Sequence, residues 1–245
     1  MEVHHHSHAH GKKTWKSFFW EFLMLFLAVF CGFLAEYKLE QTIERHREKE
    51  FIISMLEDAA TDTTTINTVI SDNLIRVAYL DSLASFCYQY QNKPGEATRM
   101  YHLVKNTLYR PDLMYPTDRT LYQLKNAGGM RLIRKKSSAN TIIEYDNSGK
   151  QVLNQQVYYE NYLTDLTAAS VELINFPELW SGSYNQTGSY VNAKLISNDP
   201  HSLRKMGNLA KMFQGVIRQY VNRLNEMKTG AIQMSAVLKT DYHIN

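Results

Sequence analysis

FFWEFLMLFLAVFCGFLAE, residues 18–36, decides how the rest of the chain is read. From Phe22 to Ala35 no side chain is charged or strongly polar, and Phe18–Ala35 carries one charge, Glu21. At 1.5 Å rise per residue, Phe18–Ala35 is roughly 27 Å long as a helix, about the thickness of a bilayer's hydrocarbon core. Trp15 and Trp20 sit near its start and Tyr37 just past its end, where amphipathic rings favour the interface. A cleaved signal needs small residues at positions −3 and −1, yet cutting after Ala35 or Gly32 places Phe33 or Phe30 at −3. Phe30 also precedes Cys31, where a lipoprotein signal wants a small residue. A soluble core helix would keep a polar face, and this one is apolar all round. The stretch therefore reads as an uncleaved transmembrane helix over 15–36, ahead of a cleaved signal or a buried core helix.

Charge sets the orientation. Lys12, Lys13 and Lys16 precede the span against a single acid, Glu2, whereas Glu36–Glu50 mixes four basic with five acidic residues. The positive flank stays in the cytoplasm. Residues 1–14 then form a disordered His-rich cytoplasmic tail, and 37–245 an extracytoplasmic helical bundle. The C-terminal domain is then expected on the far side of the membrane.

The chain has 245 residues, a net charge of +3 and 44% hydrophobic residues, enough for one domain plus an appendage. No basic cluster is interleaved with aromatics, so nucleic acid is not an expected partner. Cys31 and Cys87 are too far apart along a helix to pair, and each reads as a small packed residue.

Beyond the span, no Pro or Gly occurs from Glu36 to Gln91. Ile66, Ile70, Leu74, Val77, Leu80, Ala84 and Cys87 recur at helical spacing, with a kink conceivable at Thr61–Thr65. NKPGE (92–96) reads as a turn, followed by a helix over 96–110. Thr117 is the expected N-cap of another helix, Gly128 its left-handed terminator, and Ser137 or Ser138 the cap of the next. That helix runs to about Asn175, with DNSG (146–149) as a possible break, and residues 176–190 form the longest loop. Asp199–Pro200 starts the last helix, whose stripe is Met206, Leu209, Phe213, Val216, Tyr220, Leu224, Met227, Ala231, Met234 and Leu238. The fold class expected is all-α: one N-terminal transmembrane helix continuing into an elongated antiparallel helical bundle.

WKSFFWEFLMLFLAVFCGFLAE, EKEFIISMLEDAATD and TLYQLKNAGGMRLIR together resemble an uncharacterised family of short bacterial single-pass membrane proteins, over about residues 12–175. The resemblance implies a bacterial inner membrane and lends no catalytic residues.

Two constellations carry candidate chemistry. His4, His5, His6, His8 and His10 offer imidazoles to Zn²⁺, Ni²⁺ or Cu²⁺, although without fixed geometry; the competing reading is a solvated tail. Glu21, Ala28, Gly32 and Ala35 share one side of the span, where small residues let a second helix approach closely. Against this, Glu21 can simply snorkel to the interface. The Glu36, Glu40, Glu44 and Glu48 stripe should face water or a basic partner. Nucleophile elbows, zinc-protease and phosphate-loop motifs are all missing from the sequence, and no cofactor is implied. The expected function is a non-enzymatic, membrane-anchored helical scaffold or adaptor, its partners being the lipid bilayer and either further copies of itself or another membrane protein. The alternative is a sensor-like ligand-binding bundle with an aromatic pocket drawn from residues 158–190; an enzyme comes third.

Overall fold

In the computed structural model the described residues are 14–109, 112–126, 128–180, 190 and 193–244. They fold into α1 (Trp15–Gln89), α2 (Glu96–Leu108), α3 (Arg119–Asn126), a 3-10 turn (Gly129–Leu132), α4 (Lys136–Val171), α5 (Phe176–Leu179) and α6 (Pro200–Tyr242). The described residues contain no strand, so the protein is an all-α bundle. Two compact units divide between Glu50 and Phe51.

α1 shows no break at Thr61–Thr65. The hydroxyls of Thr61, Thr63, Thr64 and Thr65 each donate to the carbonyl four residues back, at 2.7 to 3.1 Å. Satisfying their polar groups on the helix itself removes the reason to leave it.

Three long helices form the core of the second unit, and each buries a seam spaced alternately by three and four residues. In α6 the seam is Leu203, Met206, Ala210, Phe213, Ile217, Tyr220, Leu224, Met227, Ala231, Met234 and Leu238. The expected stripe drifts from it at two positions: Leu209 and Val216 are only half-buried, and Ala210 and Ile217 take the central places. In α1 the seam is Ile52, Met55, Ala59, Asp62, Ile66, Val69, Asn73, Arg76, Leu80, Leu83 and Cys87. Leu74 is exposed and Ile70 half-buried, because the polar Asn73 holds the inward position that an apolar count passes over. α4 follows the same rule through Ile142, Tyr145, Gly149, Val152, Gln156, Tyr159 and Leu166. A sustained 3-4 alternation keeps one face of each helix toward its neighbours.

Side-chain bonds give the directions. Asp62 meets Tyr145 and Asn73 meets Tyr159, so α1 and α4 run parallel. Gln214 reaches the Val77 carbonyl and Tyr88 reaches Asn208, so α6 is antiparallel to α1; Gln156 bonding Tyr220 while Arg223 bonds Gln151 makes it antiparallel to α4 also. At Gly207 a Cβ would come within 3.1 Å of the Cys87 Cβ, which is why the close crossing of α6 and α1 takes a glycine.

Parallel α1 and α4 require the chain to travel back between them. Residues 107–109 and 112–120 do so, running antiparallel to α1. α1 holds this return segment with a ladder of buried polar residues. Arg76 donates to the carbonyls of Thr107 (2.5 Å) and Tyr109 (2.7 Å). Asn73 donates to the Asp112 carbonyl at 2.8 Å. Asp62 accepts from both the amide (3.0 Å) and the hydroxyl (2.7 Å) of Thr117, and from the Tyr145 hydroxyl. Asp58 accepts from Arg119 (2.6 Å) and Thr120 (2.5 Å). From the other helices, Gln156 donates to the Met114 carbonyl at 2.5 Å, and the Met114 amide donates to the Tyr220 hydroxyl at 2.7 Å. Burial raises the phenols of Tyr145, Tyr159 and Tyr220 above their ordinary range, so they stay protonated, and Tyr145 and Tyr159 serve as donors.

Other local expectations shift for the same reason. Thr117 does not cap α3; its hydroxyl is spent on Asp62 and the helix begins at Arg119. Ser137 and Ser138 lie inside α4, whose N-cap position is Lys135; their hydroxyls donate to Asp241 at 2.5 and 2.6 Å, tying the end of α6 to the start of α4. α4 runs uninterrupted through 146–149, and Gly149 is buried against Pro116 of the return segment. Gly128 is left-handed at φ 67°, and Asp199 caps α6 by accepting from the Ser202 amide at 2.9 Å.

Replacing Asp62 with Ala strands three donors, so stability should fall by about 4 kcal/mol, whereas Tyr145→Phe removes one donor and should cost about 1–2 kcal/mol. Urea unfolding of both variants followed by circular dichroism measures the ratio; equal losses would mean that the Thr117 bonds contribute nothing.

Asp241 lies below the usual carboxylate range, chiefly through the Ser137 hydroxyl, then that of Ser138, with help from Lys135. A depressed folded value stabilises above the unfolded value, near pH 4, and that contribution fades as pH falls through the lower folded one. The melting temperature of the parent should therefore drop more steeply below about pH 4 than that of Asp241→Asn. Parallel melting curves would show that this clamp adds no stability.

Candidate functional site

The N-terminal unit contains the one helix long and apolar enough to cross a membrane among the described residues. Its best 18-residue window has a mean hydropathy of 2.2 and no buried residue. Of the large apolar side chains from Trp15 to Ile43, all but the half-buried Leu23 are exposed, a cost that water would impose and that lipid would remove.

The two sides of this helix differ. At 100° per residue, Glu21, Ala28, Gly32 and Ala35 fall within an arc of roughly 60°. All four are exposed, and a Cβ built at Gly32 would meet nothing within 4 Å. Phe22, Phe26 and Phe30 lie about 140° away. They stack at i, i+4 spacing with ring centroids 6.2 and 5.9 Å apart. One side thus carries a carboxylate and a shallow groove, the other a wall of aromatic rings. The groove admits a helix backbone at short range; the wall offers bulk that suits acyl chains.

The acidic stripe beyond the apolar segment is not uniformly exposed. Glu36 and Glu40 are exposed, Glu44 is half-buried and Glu48 is 5% exposed. Four carboxylates at i+4 do not make one solvated face when the last is buried.

His4, His5, His6, His8 and His10 lie outside the described residues. Of the remaining histidines, His46 and His201 are exposed, and His102 packs edge-on to Tyr190 with centroids 4.9 Å apart. Among the described residues no cluster of His, Cys, Asp or Glu is arranged to hold a metal ion. Cys87 is buried, and burial pushes its thiol up to about 12, which keeps it an unreactive packing group.

Among the described residues, the aromatics of 158–180 and Tyr190 point to different places, and residues 181–189 lie outside the described residues. Tyr158 faces out while Tyr159 is fully buried between Phe213 and Tyr220, at 5.0 and 5.5 Å. Trp180 is exposed, and Tyr190 packs on Tyr101 at 5.2 Å. Clefts occur elsewhere. One of about 370 Å³ lies between α3 and α4, floored by Leu121, Leu153 and Met227 and rimmed by Lys125, Asp146 and Lys150. Asp146 is shared by the two lysines at 2.5 and 2.8 Å, so the rim is already neutralised in part.

What the sequence hid is the buried ladder of Asp58, Asp62, Asn73 and Arg76. Its sign in the sequence is that Asp62, Asn73 and Arg76 fall at inward positions of the seam, visible once the phase is known, whereas Asp58 lies beside the seam. Comparison with protein-family models, with curated proteins and with solved structures gave no match.

Proposed function

We propose that the chain is a non-enzymatic, single-pass membrane scaffold, anchored by Phe18–Ala35 in a bacterial inner membrane, whose helical bundle works on the periplasmic side through protein partners. The observation that carries the reading is the apolar helix without a buried residue in its central window. An unburied apolar segment of that length needs lipid around it. Lys12, Lys13 and Lys16 on its N-terminal flank favour a cytoplasmic N-terminus. The core of the bundle is filled by side chains and by the return segment, which supports a part that holds shape over one that encloses a substrate. The resemblance to short single-pass membrane proteins fits the same reading.

Topology is tested with a reporter active only outside the cytoplasm. Fused after Asn245 it should be active. A silent C-terminal fusion beside an active N-terminal one would reverse the orientation.

Partnership is tested on the span. The scaffold associates with a second membrane helix, a further copy or another protein, through Glu21, Ala28, Gly32 and Ala35. Gly32→Leu fills the groove and pushes the neighbouring backbone out; Glu21→Gln removes the charge and keeps the size. Each should weaken association by about 1 kcal/mol, the scale of single contacts between helices in membranes. Leu27→Ala, roughly 120° away around the helix, is the control. Crosslinking or energy transfer between spans in native membranes reads the effect. Equal behaviour of Gly32→Leu and Leu27→Ala would leave the face without a role, with Glu21 only snorkelling.

A further inference from the structure

Where α1 ends and α6 begins, two neighbouring hollows share Tyr90, Asn92 and Asn198. The larger has a volume of about 510 Å³ and the smaller about 340 Å³. These are sizes that hold small molecules. Among the described residues the charged side chains lining them are Lys93, Lys194 and Arg204, with no acidic one. Among the described residues none of these three cations is held by a carboxylate, whereas nearby Lys205 is paired with Glu172 and Lys211 with Asp81. The other polar lining groups are the amides of Gln91, Asn92 and Asn198 and the hydroxyls of Tyr88, Tyr90 and Ser197.

Both walls are fixed before any ligand arrives. On one side the Glu96 carboxylate accepts from the amides of Gln91 (3.0 Å) and Lys93 (2.8 Å), closing the 90–95 loop. Asn92 sits there in the left-handed region at φ 58°, its side chain accepting from the Tyr90 hydroxyl at 3.1 Å, and the Tyr90 ring rests edge-on to Phe86. On the other side the buried Tyr101 hydroxyl donates to the Lys194 carbonyl at 3.1 Å, and the Ile196 amide donates to Leu173 at the end of α4 at 2.8 Å. Asp199, next to the second wall, is committed to the Ser202 amide. Glu96 and Asp199 beside the cleft are thus spent on backbone, the nearby Glu178 carboxylate shares the Tyr101 hydroxyl, and Lys93, Lys194 and Arg204 line an open, preorganised hollow.

We propose that this cleft binds a small anionic polyol, a sugar bearing a phosphate or carboxylate, with Lys93, Lys194 and Arg204 taking the anion and the amides and phenols taking the hydroxyls. Charge-assisted bonds to a phosphate or carboxylate are the strong ones in such a site, and amide or phenol partners fit hydroxyls that both donate and accept. The site stands independently of the membrane reading, since its residues all belong to the bundle.

The test is calorimetry on the full chain in a mild non-ionic detergent, with glucose 6-phosphate and glucuronate as probes and glucose and inorganic phosphate as comparisons. At least one of the two sugar anions should bind with Kd below about 1 mM, more tightly than either comparison. Lys93→Ala, Lys194→Ala and Arg204→Ala should each weaken binding about tenfold, the scale of one charge-assisted hydrogen bond, and Lys239→Ala at the far end of α6 should leave it unchanged. Raising the salt from 0.05 to 0.5 M should weaken it further. Circular dichroism checks that the exposed-site variants stay folded. Binding to neither sugar anion, binding untouched by all three substitutions, or glucose or inorganic phosphate binding as tightly as the sugar anions would overturn the proposal.

Discussion

A length of extended chain, residues 112–117, lies against three helices, with no strand among the described residues to receive its amides and carbonyls. Buried backbone groups left unpaired are costly, so the helices must supply partners from their side chains. α1 gives Asp62 and Asn73, α4 gives Gln156 and α6 gives Tyr220, while Tyr145 of α4 holds the Asp62 carboxylate in place. The rest of the second unit follows from that requirement. Each of these residues occupies a position on the inward seam where an apolar side chain would otherwise sit. The bundle gives up hydrophobic contact at those points and gains a fixed path for the segment between parallel helices.

Polar groups at seam positions also fix register. An apolar stripe can slide by a heptad with modest loss, because Leu meets Leu again. Asp62 has to meet Thr117 and Tyr145 together, and Asn73 has to meet Asp112 and Tyr159. A slip of one turn would strand several buried donors at about 1–3 kcal/mol each. The aromatic trio of Tyr159, Phe213 and Tyr220 adds a packing constraint at the same level of the bundle.

This arrangement explains what could be read from the residues alone and what could not. The start of α6 was legible because Asp199–Pro200 is a local signal, a cap followed by a ring that presets the helix, and the bond to Ser202 is three residues away. Gly128 was legible for the same reason. The apolar helix of residues 18–36 was legible from composition. The seams were legible in period and wrong in phase where polar residues stood inward: an apolar count skips Asn73 and lands on Leu74, which is exposed. Thr117, Ser137 and Ser138 fit local capping rules, yet their hydroxyls serve Asp62 and Asp241, at separations of 55, 104 and 103 residues. Nothing in a window of ten residues encodes such a partner. The cleft between 90–95 and 193–198 is hidden for the same reason, its two walls meeting only after the bundle closes.

α1 carries both regimes in one helix. Over its apolar part side chains on every side are exposed, with Leu23 half-buried, a pattern without a heptad that a lipid environment would suit because it rewards apolar surface in all directions. From Ile52 on, burial returns every three or four residues, and the polar positions outside the seam belong to water. Helix propensity does not separate the two parts, since neither contains a residue that stops a helix: Gly32 is tolerated where backbone bonds are intact, and Thr61–Thr65 bond back onto their own turn. What changes along α1 is therefore the surroundings that the side chains demand, and the charged run Glu36–Glu50 is where one demand gives way to the other.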